Sequence, residues 1–524
     1  MKTKLTDSEL ATIQANSQLR RYLESLLKGK PATPRSWLFD ERNGNLTPDE
    51  VLDRWMKQLQ NLENGSEFEQ NVFQFDTSQL EKWGPQGAVP PIEDIMDIVE
   101  QGFGSSPIPK AFESDDWAAA KRDLTKLLTS KVSALRPASY QHVVDDMRAR
   151  DTLESNSGWP LFTRRSKPEV KEASIRDAES GSWRDYPAIA LFRNYNQKTR
   201  LVWMFPMSAN LVEGSYFQPL QSRLMQSGFS FLAPWEGFES VRKSVNDAYA
   251  AGRFVAASDF SSTDAHFTLH STLEVFDVIQ YCFQAKYRDG LRDSLVHMHE
   301  IPLVIGPDSK MVGSHGVSSG SNWTNFIETI FDWILAFYVK RKLGAAGYSG
   351  LYAIGDDMSW VSDIYVEDFA KSLERIGESV GQVVKSEKTT NDRDKVKSLQ
   401  RLFQRGYSNS SGQIRGVYST IRALKSSVYP ERFHDPRRWN SDMFCARQFM
   451  ILENCVDHPL FEDFVKFVCS GQSDLIPFAK QSDARLSKVT RETKLLPGLN
   501  PTYNQEKRDS SLAEFASIQI ARNL

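Results

Sequence analysis

The chain has 524 residues, 40% of them hydrophobic and 25% charged, enough to bury a substantial core and to divide into about three subdomains. A net charge of -3 excludes a protein that coats nucleic acid through bulk positive charge, so any polyanion path must be locally basic inside an acidic shell. Four cysteines (Cys282, Cys445, Cys455, Cys469) lack Cys-x-x-Cys spacing and read as reduced core thiols rather than a disulfide framework; with His458 the last three make a poorly spaced zinc set.

Met1 to Leu10 is polar without an apolar signal core, and no uncharged stretch is long enough to span a bilayer. To about Arg136 the pattern is mostly helical. Thr47-Pro48-Asp49-Glu50 is a capping box with proline at the first helical position, and it predicts a helix over Val51 to Leu62 with Val51, Leu52, Trp55, Met56 and Leu59 inward. A second helix is predicted after Pro91. Ser114 caps a third, with Trp117, Leu124, Leu127 and Leu128 inward. The stretch Gly84 to Pro91 must be an irregular strap. No chemistry is legible here, and the region reads as a scaffold that wraps or bridges other parts.

From about Ser155 short mixed segments carry basic punctuation: Ser157-Gly158-Trp159-Pro160, then Arg164, Arg165 and Lys167, then Arg193 to Pro206. Strands are predicted over Ala188 to Phe192 and Leu201 to Phe205, which makes this a strand-rich part suited to handling a polyanion. From Arg253 the order is clearer. A strand over Phe254 to Ser258 precedes a helix with Leu269, Leu273, Phe276, Ile279 and Phe283 on one face. A hairpin joins Ile301–Ile305 to Lys310–Val312, and a glycine- and serine-rich loop, Gly313 to Ser321, opens an apolar helix over Asn325 to Val339. That helix carries Glu328 and Asp332 and reads as buried, not membrane-spanning. A second hairpin over 351 to 361, a helix over Val366 to Ile376 and a strand near Gln382 to Val384 complete a split βαβ alternation. From about Val428 the chain is largely helical, punctuated by Pro430, Pro436 and a Pro497-Gly498 break, with a last helix from Ser511.

Chemistry centres on the second hairpin. Its tip, Ala353-Ile354-Gly355-Asp356-Asp357-Met358, places adjacent carboxylates between β-prone runs after a turn glycine. Hard divalent cations take such oxygen ligands together with substrate phosphates. Asp259, at the carboxyl end of the 254–258 strand, is expected to complete a three-carboxylate cage for two Mg2+ ions, the arrangement that performs in-line phosphoryl displacement. Asp264 starts the next helix and is also a natural cap. In Gly316 to Asn325, hydroxyl and amide groups at a helix start suit a ribose hydroxyl or a phosphate, or simply cap the helix.

Asp259 with Asp264, then Ser319-Gly320 with Thr324-Asn325, then Gly355-Asp356-Asp357, resemble motifs A, B and C of viral RNA-dependent RNA polymerases, in the family's order. Lys198-Thr199-Arg200-Leu201-Val202-Trp203 with Pro206 resembles motif F, Ser157 to Pro160 motif G, Gly381 to Lys388 motif D, and Leu399 to Arg405 the motif E hairpin. The match covers roughly residues 155 to 410. The signature Lys-Thr-Arg-Leu-Val-Trp and the Ser-Gly-x-x-x-Thr-Asn form are most similar to polymerases of picobirnaviruses, then of partitiviruses. Thr263 departs from the pattern, which commonly has an aromatic before the second aspartate of motif A.

The resemblance implies an α+β closed right hand: an N-terminal helical region bridging fingers and thumb over residues 1–140, fingers over 141–252, palm with an RNA-recognition-like sheet over 253–420 (286–318 partly fingers), and a mainly helical thumb and tail over 421–524. It implies Asp259 and Asp356 as ligands of both metals with Asp357 helping, and Mg2+ or Mn2+ as the ions. Asp264 and Asn325 would pair and read the ribose 2′-hydroxyl, supported by Ser319 and Thr324. Arg193, Lys198 and Arg200 would contact NTP phosphates, and Lys388, or else Lys385, would act as general acid toward pyrophosphate. Trp323, Trp360, His266 and His315 read as structural. RNA template and product and NTPs are the implied partners of a monomer without membrane contact, with a capsid protein as a further contact and the virion interior or host cytoplasm as location. A reverse transcriptase, and a catalytically silent RNA-binding structural protein with the same fold, are the competing readings.

Overall fold

The computed structural model describes residues 1–150, 152–261, 263–344, 347–496, 499 and 510–524. The expected Pro497-Gly498 break lies outside them. The strands are β1 (Lys2–Lys4), β2 (Ala188–Tyr195), β3 (Lys198–Met204), β4 (Phe254–Asp259), β5 (Leu303–Val304), β6 (Ser309–Met311), β7 (Ser349–Ile354), β8 (Asp357–Ser362), β9 (Thr390–Asn391), β10 (Lys395–Ser398), β11 (Arg401–Gln404) and β12 (Val417–Tyr418). They form a five-stranded sheet in the order β1-β6-β5-β2-β3, a four-stranded sheet β7-β8-β4-β9 and a three-stranded sheet β10-β11-β12.

The four-stranded sheet is antiparallel throughout and positions the acidic hairpin. Its fourth strand is not Gln382 to Val384, as expected, but β9. Gly381 turns the chain at φ +81, and of the predicted stretch Val384 alone makes a bridge, to Phe260. Behind this sheet runs the long helix Trp323–Leu343, buried along most of its length because apolar positions cover most of its circumference. Trp323 and Trp360 are fully buried, as read.

The first 140 residues do not build a core of their own. The capping box at Thr47 forms as expected and starts the helix Pro48–Leu59. Trp55 from this helix packs among the C-terminal helices, whereas Leu19, Leu23 and Val99 join the core of the five-stranded sheet and Trp117, Leu124 and Leu128 join that of the four-stranded one. Leu127, expected inward, is 36% exposed, since its neighbours on the helix Asp115–Thr129 already fill the contact. The strap over 84–91 is irregular, and Gln86 bridges two parts: its Nε2 donates to the Tyr429 carbonyl (2.6 Å) while its Oε1 accepts from Asn196 N–H (3.1 Å).

Asp76, from the helix Glu67–Thr77, caps the helix Thr420–Val428 from outside. Fully buried, it accepts hydrogen bonds from Ser419 Oγ (2.6 Å), Thr420 Oγ1 (2.6 Å), Ile421 N–H (3.0 Å) and His458 Nε2 (2.8 Å). Leu460 N–H donates to His458 Nδ1, so Nε2 carries the proton that Asp76 receives. His458 is therefore spent on Asp76. Burial alone would raise this carboxyl, but the His458, Ser419 and Thr420 contacts outweigh it and hold the group low. A lowered folded-state value means that the contribution is present above the ordinary carboxylate range and is lost as pH falls through the folded value. Asp76→Ala is expected to destabilise by roughly 3–5 kcal/mol at neutral pH, and chemical denaturation at pH 7 against pH 3 should show the difference between variant and wild type shrinking with acid.

Candidate active site

The register of β4 against β8 sets the site. Asp259 lies directly opposite Asp357, and β7 meets β8 at Ile354 opposite Asp357, which leaves Gly355 and Asp356 as the turn. Gly355 takes φ +58, and its N–H donates to Thr329 Oγ1 (2.9 Å). The turn is thus tied to the long helix, whose residues Asn325, Glu328, Thr329 and Asp332 recur at the spacing of one helical face. A side chain at Gly355 would stand 3.0 Å from Asn325 Nδ2 and 3.4 Å from Glu328 Oε2, so that face lies against the turn.

Crowding of like charges dominates the electrostatics. Burial, with Asp259 and Asp264 near, raises Asp356 to about 6; burial, with Asp356 and Asp259 near, raises Asp357 to about 8. Burial also raises Asp259, against the opposing pull of Lys388, Arg200, Lys82 and Lys198. Behind them, Asp332 is raised well above its ordinary value by burial and by Asp356 and Asp357. The three expected metal ligands do come together, but not as a closed cage: among the described residues no group of three His, Cys, Asp or Glu side chains converges to ligating geometry. Mutual repulsion of Asp259, Asp356 and Asp357 opposes such convergence.

The expected partner of Asp264 was Asn325; in the structure Asp264 hydrogen-bonds Glu328, one helical turn further along the same face. Burial and the Asp264 and Asp356 charges raise Glu328 far above the usual range, so within the pair Glu328 holds the proton. Its Oε1 is buried without a partner. Asn325 is exposed beside the turn. Thr324 Oγ1 donates to the Ser318 carbonyl (2.5 Å) and Ser319 Oγ accepts from Trp203 N–H (3.1 Å), so both shape the loop.

The loop is clamped from two sides. Val317 N–H donates to the Asp264 carbonyl (3.0 Å), which fixes it to the second aspartate. From the helix Met207–Gln226, buried Glu213 accepts from Ser321 Oγ, Asn322 N–H (3.0 Å) and Asn210 Nδ2 (2.9 Å), while Asn210 also donates to the Gly320 carbonyl (3.1 Å). Burial raises Glu213 to about 7. Glu213 and Asn210 had no sequence signal beyond their polar type, in a stretch read only as part of a strand-rich region that the structure shows to be a helix.

Of the basic groups, Arg200 acts on Asp259, Asp264 and Asp356, and Lys198 acts on Asp259. Lys388 is the first of the cations acting on Asp259. Arg193 departs from expectation: its guanidinium holds Glu431 through two hydrogen bonds (2.7 and 2.7 Å) and is not free for a triphosphate. It stands opposite Arg200 in the β2–β3 hairpin, and both guanidiniums lie over the Tyr195 ring at 4.8 and 5.1 Å. Lys82, unread in the sequence, brings the N-terminal region to the site; burial and then Arg422 lower its ammonium.

A model of the family described as viral RNA-dependent RNA polymerase matches residues 195–432. A potential RNA-dependent RNA polymerase of Human picobirnavirus (strain Human/Thailand/Hy005102/-) is 26% identical over 490 residues, 87% of this chain and 85% of that one. An RNA-directed RNA polymerase of Cryptosporidium parvum virus 1 (strain KSU-1) is 22% identical over 285 residues, 50% of this chain and 54% of its own. The crystal structure of the RNA-dependent RNA polymerase of a human picobirnavirus superposes with a TM-score of 0.81 at 20% identity, covering 99% of this chain and all of that one. The resemblance read in the motifs is borne out, and so is the right-hand polymerase fold.

Close approach makes the loop testable. A Cβ at Gly320 would stand 1.7 Å from the Trp203 carbonyl oxygen, whereas one at Gly102 meets nothing within 4 Å. Gly320→Ala is expected to lower thermal stability, by about 1–3 kcal/mol as overpacking does, and to cut nucleotide incorporation at least about tenfold. Gly102→Ala should change neither in melting and incorporation assays.

Proposed function

We propose that this chain, an RNA-directed RNA polymerase of the kind found in double-stranded RNA viruses, joins ribonucleotides by in-line phosphoryl transfer at Asp259, Asp356 and Asp357 and thereby replicates and transcribes a viral genome. The observation that carries this reading is the β4–β8 register, which sets Asp259 opposite Asp357 beside the Asp356 turn, faced by Lys388, Arg200, Lys82 and Lys198.

The donor set suits hard divalent cations. All three ligand candidates offer carboxylate oxygens, and their crowding is what a divalent charge relieves. An open arrangement is in keeping with Mg2+, which usually takes one or two carboxylates and completes its shell with substrate phosphates and water. Two such ions, Mg2+ or Mn2+, held by Asp259 and Asp356 with Asp357, would supply activation of the attacking hydroxyl and neutralisation of charge on the leaving pyrophosphate.

The chain's own residues do the rest. Arg200 and Lys198 neutralise and orient the incoming triphosphate, and Lys388, whose charge acts on Asp259, hands a proton to the departing pyrophosphate. Asp264, oriented by the proton of Glu328, accepts from the ribose 2′-hydroxyl, and Asn325 borders the same space. A deoxynucleotide would deprive that carboxylate of this donor, which is a source of discrimination. RNA template, RNA product and NTPs are the partners this reading requires. By the same reading the enzyme works as a monomer in the virion interior or host cytoplasm, beside capsid protein. No helix of the described residues is long and apolar enough to cross a membrane.

The test is incorporation of labelled NTPs on a single-stranded RNA template with Mg2+ or Mn2+, without and then with a primer. Wild type is expected to give template-length product and Asp356→Asn none; silence of the wild type with intact RNA binding would point to a structural RNA-binding protein. Glu328→Leu should erode the preference for NTP over dNTP by roughly tenfold to a hundredfold, the cost of one charge-assisted hydrogen bond, while Glu328→Gln, which still donates to Asp264, should keep most of it.

A further inference from the structure

The helix Trp323–Leu343 brings Asn325, Glu328, Thr329 and Asp332 to the acidic turn, so the place where it starts decides where that face stands. Its flanking residue Asn322 does not cap it with its own side chain. The cap comes from another helix. Glu213, 1% exposed, accepts from Asn322 N–H (3.0 Å) through one carboxylate oxygen and from Ser321 Oγ through the other, and Ser321 Oγ in turn accepts from Trp323 N–H (3.1 Å). A carboxylate suits this end, because the first turn of a helix presents unpaired N–H groups and the positive end of its dipole.

A buried carboxylate is costly without a counter-charge. Glu213 is linked to one through Asn210, itself 2% exposed. Asn210 Nδ2 donates to Glu213 Oε1 (2.9 Å) and to the Gly320 carbonyl (3.1 Å), while its Oδ1 accepts from Arg165 Nη2 (2.9 Å). Partners at both ends thus fix which way the amide points. Arg165 is the cation whose charge acts on Glu213, and it is anchored in its own segment: Nε donates to the Asn156 carbonyl (3.1 Å) and its N–H to the Ser155 carbonyl (3.1 Å). The relay runs from the 155–165 stretch, across the helix Met207–Gln226, to the start of the long helix.

Asp264 is the receiving end. A Cβ at Gly316 would stand 2.0 Å from the Asp264 carbonyl oxygen, and Val317 N–H donates to that oxygen (3.0 Å). On the helix side, Glu328 hydrogen-bonds the Asp264 carboxyl. A slip of the loop or of the helix start would therefore move Asp264 through its backbone and its side chain together.

We propose that Glu213, supported by Asn210 and Arg165, is a positioning residue for ribose recognition: it fixes the start of the helix Trp323–Leu343 and the loop before it, so that Asp264 and Glu328 meet the 2′-hydroxyl of the incoming nucleotide. This role rests on the chain being an RNA polymerase.

Two measurements on the full chain test it: single-nucleotide incorporation on a primed RNA template with NTP and with dNTP, and amide hydrogen exchange of the free protein. In Glu213→Leu the preference for NTP over dNTP is expected to narrow by roughly tenfold, the worth of one hydrogen bond to a charged group, through a raised KM for NTP. Glu213→Gln, whose carboxamide still accepts from Asn322 N–H and donates to Ser321 Oγ, should stay within about threefold of wild type. Arg165→Met should narrow the preference several-fold, but by less than about twofold when position 213 already carries the Leu substitution, because the two act through one relay. If Glu213→Leu fails to fold, Arg165→Met, at the half-buried end of the relay, carries the kinetic test alone. Exchange over residues 316–329 should quicken by roughly tenfold in Glu213→Leu while that of the helix Ser441–Glu453 stays as in wild type. Equal losses with NTP and dNTP overturn the proposal in favour of a purely structural clamp, and so do additive effects of the two substitutions or unchanged exchange over 316–329. Absence of incorporation by the wild type overturns the polymerase reading and the ribose role with it; the exchange difference then still shows whether Glu213 holds the helix start.

Discussion

Three carboxylates held near one another against their mutual repulsion are the constraint around which the molecule is arranged. Backbone pairing enforces it: the β4–β8 ladder fixes Asp259 against Asp357, and the turn adds Asp356. Such crowding is tolerable because four cations from three separate stretches of chain face Asp259: Lys82 from the N-terminal region, Lys198 and Arg200 from the fingers hairpin, and Lys388 after the palm helix. None of these is local to the hairpin. The positive side of the site exists only when the chain has closed on itself, so the site's electrostatics and the global fold are one requirement.

The long helix Trp323–Leu343 shows how the negative side is supported. Asn325, Glu328, Thr329 and Asp332 form a polar stripe on an otherwise apolar rod, and the stripe meets the turn. Thr329 satisfies the turn's backbone N–H, while Glu328 and Asp332 are kept protonated by burial and by the aspartates in front of them. Acids pushed toward the protonated form in that layer add hydrogen-bonding capacity without adding charge. Two more aspartate-like charges in that layer would drive the hairpin away.

Much of this was legible in the sequence, for a physical reason: hairpins, caps and turn glycines are specified within a few residues. The acidic turn, the Thr47 capping box, the strands at Ala188 to Phe192 and Leu201 to Phe205 and the apolar helix formed where local pattern placed them, whereas the hairpin around Leu399 to Arg405 was expected from the family resemblance alone. Contacts made between distant stretches were not legible. Lys82 carries no local mark of its destination, and the Glu213 clamp depends on a helix docking from a hundred residues away. Arg193 was misread because a basic residue beside the motif F signature looks like a phosphate ligand, and only the thumb reveals Glu431. The Asp264 partner was misread by one helical turn. There a signal did exist: Glu328 and Asp332 interrupt the apolar helix at the spacing that puts them on the face of Asn325, and their use as an argument against a membrane span hid their use as a site.

The fingers and thumb keep separate apolar cores. The contacts identified between them are polar: Arg193 with Glu431, Lys425 with Asn196, and the two-sided grip of Gln86. Interfaces of this type permit relative motion more readily than a shared core does. The strap over 84–91 makes sense in that light. Gly87 N–H donates to the Asn194 carbonyl in the fingers, while Thr33, bonded to Gln86 through the backbone, donates its hydroxyl to the Glu431 carbonyl in the thumb. A segment that is irregular can hydrogen-bond to both sides at once, which neither a helix nor a central strand can do with its backbone already committed. The N-terminal region therefore serves the active site twice, by carrying Lys82 into it and by limiting how far the fingers hairpin that supplies Lys198 and Arg200 can separate from the thumb.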